Sequence, residues 1–307
     1  MSVPPSFSGE IKLTRLRPLV DALLLNLRDK PLQIKLALSA MLSGGHVLIE
    51  DAPGTGKTSL ARALGFHLHL EWKRLQCTND TTPSDIVGVN IFNPKSGGFA
   101  FKEGPIFTPL LLADELNRAP SKSQSALLEA MAEHQITIDG TPHNLPTPFI
   151  VIATQNPLEQ VGVSPLPESQ LDRFAVSFSL GLPSEAAEGA ILRDATAGVE
   201  CVEQNKPMLE IGEFAALQAQ SQKIIFADAL IVYLQQLALR LRAGGMSTLS
   251  VRALIQIKGL AQAYAMIEQR DFCVPEDIQA VIVAGLQHRM GGSDALINEI
   301  MREVPVP

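Results

Sequence analysis

The sequence predicts an α/β fold: a parallel sheet with inserted β-hairpins, followed by a smaller all-helical domain. Three observations predict it. Short, nearly all-apolar runs alternate with helical segments through the first part of the chain, as in a parallel sheet covered on both faces. A glycine-rich loop joins the first of these runs directly to a helix. After Gly181-Leu182-Pro183-Ser184 the strands cease and only helical periodicity remains. A length of 307 residues suits about two domains, with expected bounds of 1–182 and 183–307.

Taken in order, Met1 to Glu10 is polar and proline-rich and lacks an apolar signal core. Ile11 to Leu42 has a helical pattern, interrupted near Asp29-Lys30-Pro31. Strands are expected at His46–Ile49, Trp72–Gln76, Leu110–Ala113, Phe149–Ala153 and Ala175–Phe178. Helices are expected at Thr58–Leu68, Ser121–Glu133 and Glu168–Asp172. Two segments break this rhythm and read as β-hairpins. Val89–Phe92 and Phe99–Phe101 flank a Pro/Gly-rich turn, and Ile136–Ile138 runs into Asp139-Gly140. In the last third, Ala227, Leu230, Ile231, Leu234, Ala238 and Leu241 share one helical face. Ser250 is placed to cap a helix through Tyr264. Pro275-Glu276-Asp277 opens another, which Gly291-Gly292 would end.

Composition narrows the function. With 46% hydrophobic and 19% charged residues the chain can bury a large core, which excludes global disorder. A net charge of −7 argues against a protein built to coat nucleic acid. Cys77, Cys201 and Cys273 form no CxxC, so neither a zinc ribbon nor a disulfide framework is supported, and a reducing, cytoplasmic setting is expected. No uncharged apolar run approaches the ~20 residues that cross a bilayer.

The chemistry concentrates at the ends of the expected strands. Asp51-Ala52-Pro53-Gly54-Thr55-Gly56-Lys57-Thr58 follows the strand Val47-Leu48-Ile49 and opens a helix. Backbone N–H groups of such a loop point at phosphate oxygens, and the helix dipole adds positive potential. Lys57 would reach the β- and γ-phosphates, and the Thr58 hydroxyl would ligate Mg²⁺. A glycine-rich turn capping an ordinary helix would contain the same residues, but the strand–loop–helix context favours nucleotide binding. Asp51 stands where the pattern has its first glycine; its side chain is expected to bond to the local turn backbone.

Leu110–Ala113 ends in Asp114-Glu115 at the edge where α/β ligands bind. Asp114 would hold Mg²⁺ through water and Glu115 would polarise the attacking water. Asn156, after the Phe149–Ala153 strand, would approach the γ-phosphate, although Asn156-Pro157 also reads as a plain turn. Arg173 precedes another strand, where a guanidinium suits developing phosphoryl charge or serves as an ordinary surface charge. His46, His67, His69, Trp72, Met131 and Met290 read as structural, and Lys73-Arg74 is too short a basic run for nucleic-acid contact.

The loop Glu50–Thr58 occurs with Pro83-Ser84-Asp85-Ile86-Val87-Gly88, Gly104-Pro105-Ile106-Phe107, Asp114-Glu115-Leu116-Asn117-Arg118-Ala119, Gln124–Met131 and Gln170-Leu171-Asp172-Arg173-Phe174. Together these resemble the MoxR family of AAA+ ATPases, over about Leu16 to Met290. The resemblance implies an AAA+ core with a helical lid. ATP would be held by Pro53, Gly54, Thr55, Gly56, Lys57, Thr58 and Ser59 together with Asp114, and Mg²⁺ by Thr58 and Asp114. It further implies that Asp114 and Glu115 are the Walker B pair, Asn156 sensor 1 and Arg252 sensor 2. Arg173 would be an arginine finger acting on ATP of the next subunit, with Arg118 a second interface candidate. The hairpin near Asn93–Gly98 would be the helix-2 insert, and Ile136–Leu145 the pre-sensor hairpin.

A homo-oligomeric ring, commonly hexameric, and a von Willebrand factor A domain partner are likewise implied, in a chaperone-like role of protein remodelling or maturation. A nucleic-acid motor is the alternative, disfavoured by the acidic balance and by the lack of an aromatic-plus-basic stripe. A non-hydrolysing scaffold is disfavoured by Glu115 and Arg173.

Overall fold

The computed structural model describes residues 13–94, 97–156, 166–196, 206–246, 249–289 and 294–307. Helices α1 (Leu16–Asn26) and α2 (Pro31–Leu42) lead in. Asp29, at φ 64°, turns the chain between them, and the fixed φ of Pro31 suits the first position of α2. Then come β1 (His46–Glu50), α3 (Lys57–His67), β2 (Trp72–Gln76), α4 (Pro83–Val87), β3 (Gly88–Asn93), β4 (Gly98–Glu103) and β5 (Leu110–Asp114). The core continues with α5 (Ser121–Glu133), β6 (Gln135–Ile138), β7 (Thr141–Asn144), β8 (Ile150–Gln155), α6 (Glu168–Leu171) and β9 (Phe174–Phe178). Helices α7 (Glu185–Thr196), α8 (Glu213–Ser221), α9 (Asp228–Ala243), α10 (Val251–Ile267), α11 (Pro275–Leu286) and α12 (Asp294–Glu303) follow.

Five strands form one parallel sheet in the order β2-β5-β8-β1-β9. Side chains alternate across it, because successive Cβ atoms point to opposite faces. Val47, Ile49, Leu110, Leu112, Ile150 and Ile152 pack under α1–α3 and the later helices. Leu48, Leu111, Ala113, Val151 and Ala153 pack under α4 and α5. This double burial is why the strands read as unbroken apolar runs; each fully buried aliphatic side chain contributes about 1.5–3 kcal/mol. Edge strand β2 alternates Trp72, Arg74 and Gln76 with Lys73 and Leu75 and stays more exposed.

The two hairpins are separate two-stranded sheets, β3–β4 and β6–β7. Asp139 and Gly140 both adopt positive φ, as a two-residue hairpin turn requires. At the root of the first hairpin Gly88 and Gly104 lie against each other's backbone. A Cβ on Gly88 would sit 2.3 Å from the Lys102 carbonyl, and one on Gly104 2.3 Å from that of Ile86. Near its tip Phe92 and Phe99 pack edge to face at 5.5 Å while both remain exposed.

Helices α8–α12 share one apolar cluster with α1–α3. Ser250 Oγ accepts the Ala253 N–H, and α10 runs past Tyr264 to Ile267. The expected stop at Gly291-Gly292 lies outside the described residues. Instead α11 closes at Leu286 in a 3-10 turn, Gln287–Arg289, that docks on the sheet. There His288 Nε2 donates to the Phe174 carbonyl (3.1 Å), and Arg289 bonds the Phe174 and Gly285 carbonyls and pairs with Asp172 at 3.0 Å. Burial drives the His288 imidazole down to about 3.

His46 is structural, as expected. Its Nδ1 accepts the Val151 N–H (3.1 Å) and its Nε2 donates to the Met131 carbonyl (3.3 Å). Burial lowers its pKa to about 4, in keeping with a neutral ring whose Nδ1 must stay bare. His69 lies beyond the end of α3 at φ 54°, not on the helix with His67. Among the described residues, no helix is long and apolar enough to cross a membrane.

Candidate nucleotide site

Strand order builds the site. With β8 between β5 and β1, the C-terminal ends of three strands that carry polar residues become neighbours. Leu112 of β5 and Val47 of β1 both pair with Ile152 of β8. Residues just past these rungs therefore converge where α/β sheets bind ligands.

The loop after β1 turns on Gly54 (φ 86°) and Gly56 (φ 95°), conformations that a Cβ disfavours. Gly56 immediately precedes α3, so the first N–H groups of that helix face the loop. Lys57 is buried, with Nζ donating to the carbonyls of Asp51 (2.6 Å) and Ala52 (3.2 Å). Desolvation lowers the Lys57 pKa, opposed by the negative charges of Asp51, Asp114 and Glu115. Thr55 turns inward, its hydroxyl donating to the Ala52 carbonyl at 3.3 Å.

The two acids are held from several sides. Asp114 Oδ1 accepts from the Thr154 hydroxyl (2.6 Å), and Oδ2 accepts from Arg74 Nε (3.1 Å) and a terminal Arg74 nitrogen (2.6 Å). Glu115 stands at φ 56°, unusual for a residue with a Cβ and costing about 1 kcal/mol or more. Its N–H donates to the same Thr154 hydroxyl at 2.9 Å. One Glu115 oxygen accepts from Asn156 Nδ2 (3.0 Å); the other accepts from Gln76 Nε2 (3.2 Å) and lies 3.3 Å from Arg118. The strained backbone is thus over-determined by four neighbours. Asn117, itself buried, donates to the Asn156 carbonyl (2.9 Å) and accepts the Asn156 N–H (3.4 Å). That leaves Asn156 Oδ1 buried with no partner.

These groups surround a cleft of about 380 Å³, lined by Pro53, Gly54, Gly56, Lys57, Thr58 and Ser59 on one wall. Arg74, Gln76, Asp114, Glu115 and Asn156 form the other. Neither Arg173 nor Arg252 is among the described residues that line it. Arg173 is half-buried before β9, and Arg252 is exposed in the first turn of α10. Arg74, Gln76, Thr154 and Asn117 were not singled out from the sequence. In sequence Lys73-Arg74 reads only as a short basic run, whereas the pleat of β2 sends Arg74 to Asp114. Cys77 follows Gln76, and burial beside Asp114 and Glu115 pushes its thiol up to about 12, so it stays protonated.

Asp51 corrects an expectation. Its carboxylate does not bond to the local turn. Oδ2 accepts the backbone N–H groups of Leu180 (2.7 Å) and Gly181 (2.8 Å), just beyond β9. The side chain is a backbone acceptor as expected, but across 129 residues of chain, because the end of β9 neighbours the end of β1 in the sheet.

Residues 46–176 match the family described as ATPase family associated with various cellular activities (AAA), and residues 238–305 match the AAA lid domain. The chain is 40% identical over 286 residues to the uncharacterized protein YeaC of Bacillus subtilis, covering 89% of this chain and 88% of YeaC. It is 37% identical over 281 residues to chaperone MoxR1 of Mycobacterium tuberculosis, covering 88% and 74%. A crystal structure from Cytophaga hutchinsonii, described as a candidate ATPase, superposes with a TM-score of 0.85 at 32% identity over 96% of each chain. The cleft at the strand ends, the lid that follows and these likenesses agree: the chain belongs to the MoxR family of AAA+ ATPases.

Proposed function

We propose that this protein is an Mg²⁺-dependent ATPase that acts as a homo-oligomeric ring, hexameric in its working form, to remodel or mature partner proteins in the cytoplasm. The observation that carries the reading is Glu115. Its carboxylate is held between Asn156, Gln76 and Arg118 at the wall of a cleft whose other wall is the phosphate-binding loop. The donor set fits the ligands. Gly54 and Gly56 leave the loop backbone open to phosphate, Thr58 and Asp114 offer a hydroxyl and a carboxylate, and Asn156 presents its Nδ2 to Glu115 at the cleft wall. Mg²⁺ would be held by Thr58 and Asp114 and, when bound, would supply charge neutralisation for the triphosphate.

In this reading Lys57 leaves the loop carbonyls for the β- and γ-phosphates. Glu115 accepts the proton of the attacking water, and Asn156 holds Glu115 and that water in line. Arg173 lies outside the cleft of its own subunit, which supports action on the neighbouring subunit, where a guanidinium would stabilise phosphoryl charge. Residues 1–182 would form the core and 183–307 the lid, with Arg252 reporting nucleotide to the lid. The chaperone name of the Mycobacterium relative supports a role on client proteins. A von Willebrand factor A domain protein is the proposed partner, and the exposed hairpins are the proposed contact elements.

The test is subunit mixing. Glu115→Gln should bind ATP and release phosphate at least about 100-fold more slowly. Arg173→Ala should be similarly slow alone. Mixed with Glu115→Gln it should recover part of the activity, because some interfaces then pair an intact Glu115 with an intact Arg173. Full turnover by an isolated subunit, or by Glu115→Gln, would defeat the reading.

A further inference from the structure

Asp51 stands where loops of this pattern begin with glycine, and the ATPase cycle proposed above makes no use of its carboxylate. That carboxylate is nevertheless buried, with the residue 8% exposed. A buried carboxylate is retained only where its lone pairs are met. They are met by two backbone N–H groups at once, those of Leu180 and Gly181. Gly181 sits at φ 62°, and with Leu182 and Pro183 it connects β9 to α7. The same connection is gripped from the other side by Lys30, which donates to the Leu182 carbonyl (2.7 Å), and by Asp29, which accepts the Ser184 N–H (3.3 Å).

The backbone of Asp51 is tied to the cleft. Its carbonyl receives Lys57 Nζ at 2.6 Å, and its N–H donates to the Gln155 carbonyl (3.1 Å), next to Asn156. One residue therefore touches the lysine of the phosphate loop with its carbonyl and the strand-to-lid connection with its side chain. Lys57 cannot serve the Asp51 carbonyl and a phosphate in the same geometry.

We propose that Asp51 is a positioning residue that couples occupancy of the phosphate loop to the connection between β9 and the helical lid. When Lys57 leaves its carbonyl, Asp51 shifts, and the two N–H groups bound to its carboxylate shift with it. The proposal rests on the reading that Lys57 engages the β- and γ-phosphates. A glycine at this place would keep the loop and lose the coupling.

Hydrogen–deuterium exchange of the full-length protein tests this, with amides 180–184 followed with and without Mg²⁺ and a slowly hydrolysed ATP analogue. Binding of a fluorescent ATP analogue is measured alongside. In the wild type, exchange at Leu180 and Gly181 should be slow and should change several-fold when nucleotide binds. In Asp51→Gly the two amides should exchange at least about tenfold faster, with no further response to nucleotide, while affinity for the fluorescent analogue stays within about threefold. Asp51→Asn keeps an oxygen that accepts more weakly and should fall between, with part of the response restored; this variant carries the test if the glycine variant does not fold. A wild-type-sized nucleotide response in either variant overturns the coupling. Failure of the wild type to bind the analogue would instead overturn the underlying site reading.

Discussion

Replacing Thr154 with valine keeps the shape of a fully buried side chain and deletes one hydroxyl. That hydroxyl donates to Asp114 Oδ1 at 2.6 Å and accepts the Glu115 N–H at 2.9 Å. The first is a charge-assisted bond, worth about 1.5–3 kcal/mol, and losing the second strands an N–H at a cost of about 1–3 kcal/mol. The two share one atom and are not additive, so a loss near 3 kcal/mol is expected on urea unfolding. The effect on chemistry should be larger. Thr154 is the contact that fixes the Asp114 carboxylate and the left-handed backbone of Glu115 together, and a displacement of about 1 Å costs on the order of 100-fold in rate. Single-turnover phosphate release under conditions where the variant is folded should therefore fall about 100-fold, with nucleotide affinity changed only a few-fold. Thr154→Ser keeps the hydroxyl and should stay within a few-fold of wild type. A folded valine variant that turns over within threefold of wild type would refute the idea that this hydroxyl aligns the acids.

Three other outcomes follow from the contacts described. Arg74→Ala removes a cation that occupies Asp114 Oδ2, so half-maximal turnover should need about three- to tenfold less Mg²⁺, while nucleotide binding in EDTA weakens. That range allows for solvent screening of a guanidinium 47% exposed, and a metal titration reads it. Arg289→Ala should lower stability by about 3 kcal/mol, because it removes the buried cation paired with Asp172 and the side-chain donor to the Gly285 carbonyl, leaving the Phe174 carbonyl with His288 alone; Arg289→Lys should not restore it, since an ammonium lacks the planar fork. Acid should destabilise the fold through His46 and His288. Their folded-state values, about 4 and about 3, lie below the unfolded value of about 6.5, so the folded chain resists protonation. Stability is full above about pH 6.5 and is lost as pH falls towards 4, by about 2 kcal/mol per histidine at pH 5. Urea midpoints at pH 7.5 and 5 check this, and NMR should find these two imidazoles neutral at pH 5.

What lies within a short window of chain was legible from the residues alone. The unbroken apolar runs Val47-Leu48-Ile49 and Leu110-Leu111-Leu112 gave strands buried on both faces, and both hairpins were marked by their turn residues. The phosphate-binding loop was marked by glycines whose positive φ the structure retains. The acids at the end of β5 needed only the expectation that strand ends face ligands. Helix ends were less legible: α11 stops at a docking turn that no glycine announces. The partners of the acids could not be read at all, because they are set by register between strands far apart in sequence. Gln76 lies beside Asp114 because β2 pairs with β5, and Thr154 reaches Asp114 because Ala113 pairs with Ala153. The grip of Asp51 on Leu180 and Gly181 follows from β1 lying next to β9. Local sequence fixes each residue's backbone and face, whereas strand order decides which residues meet, and only packing of the whole sheet sets that order.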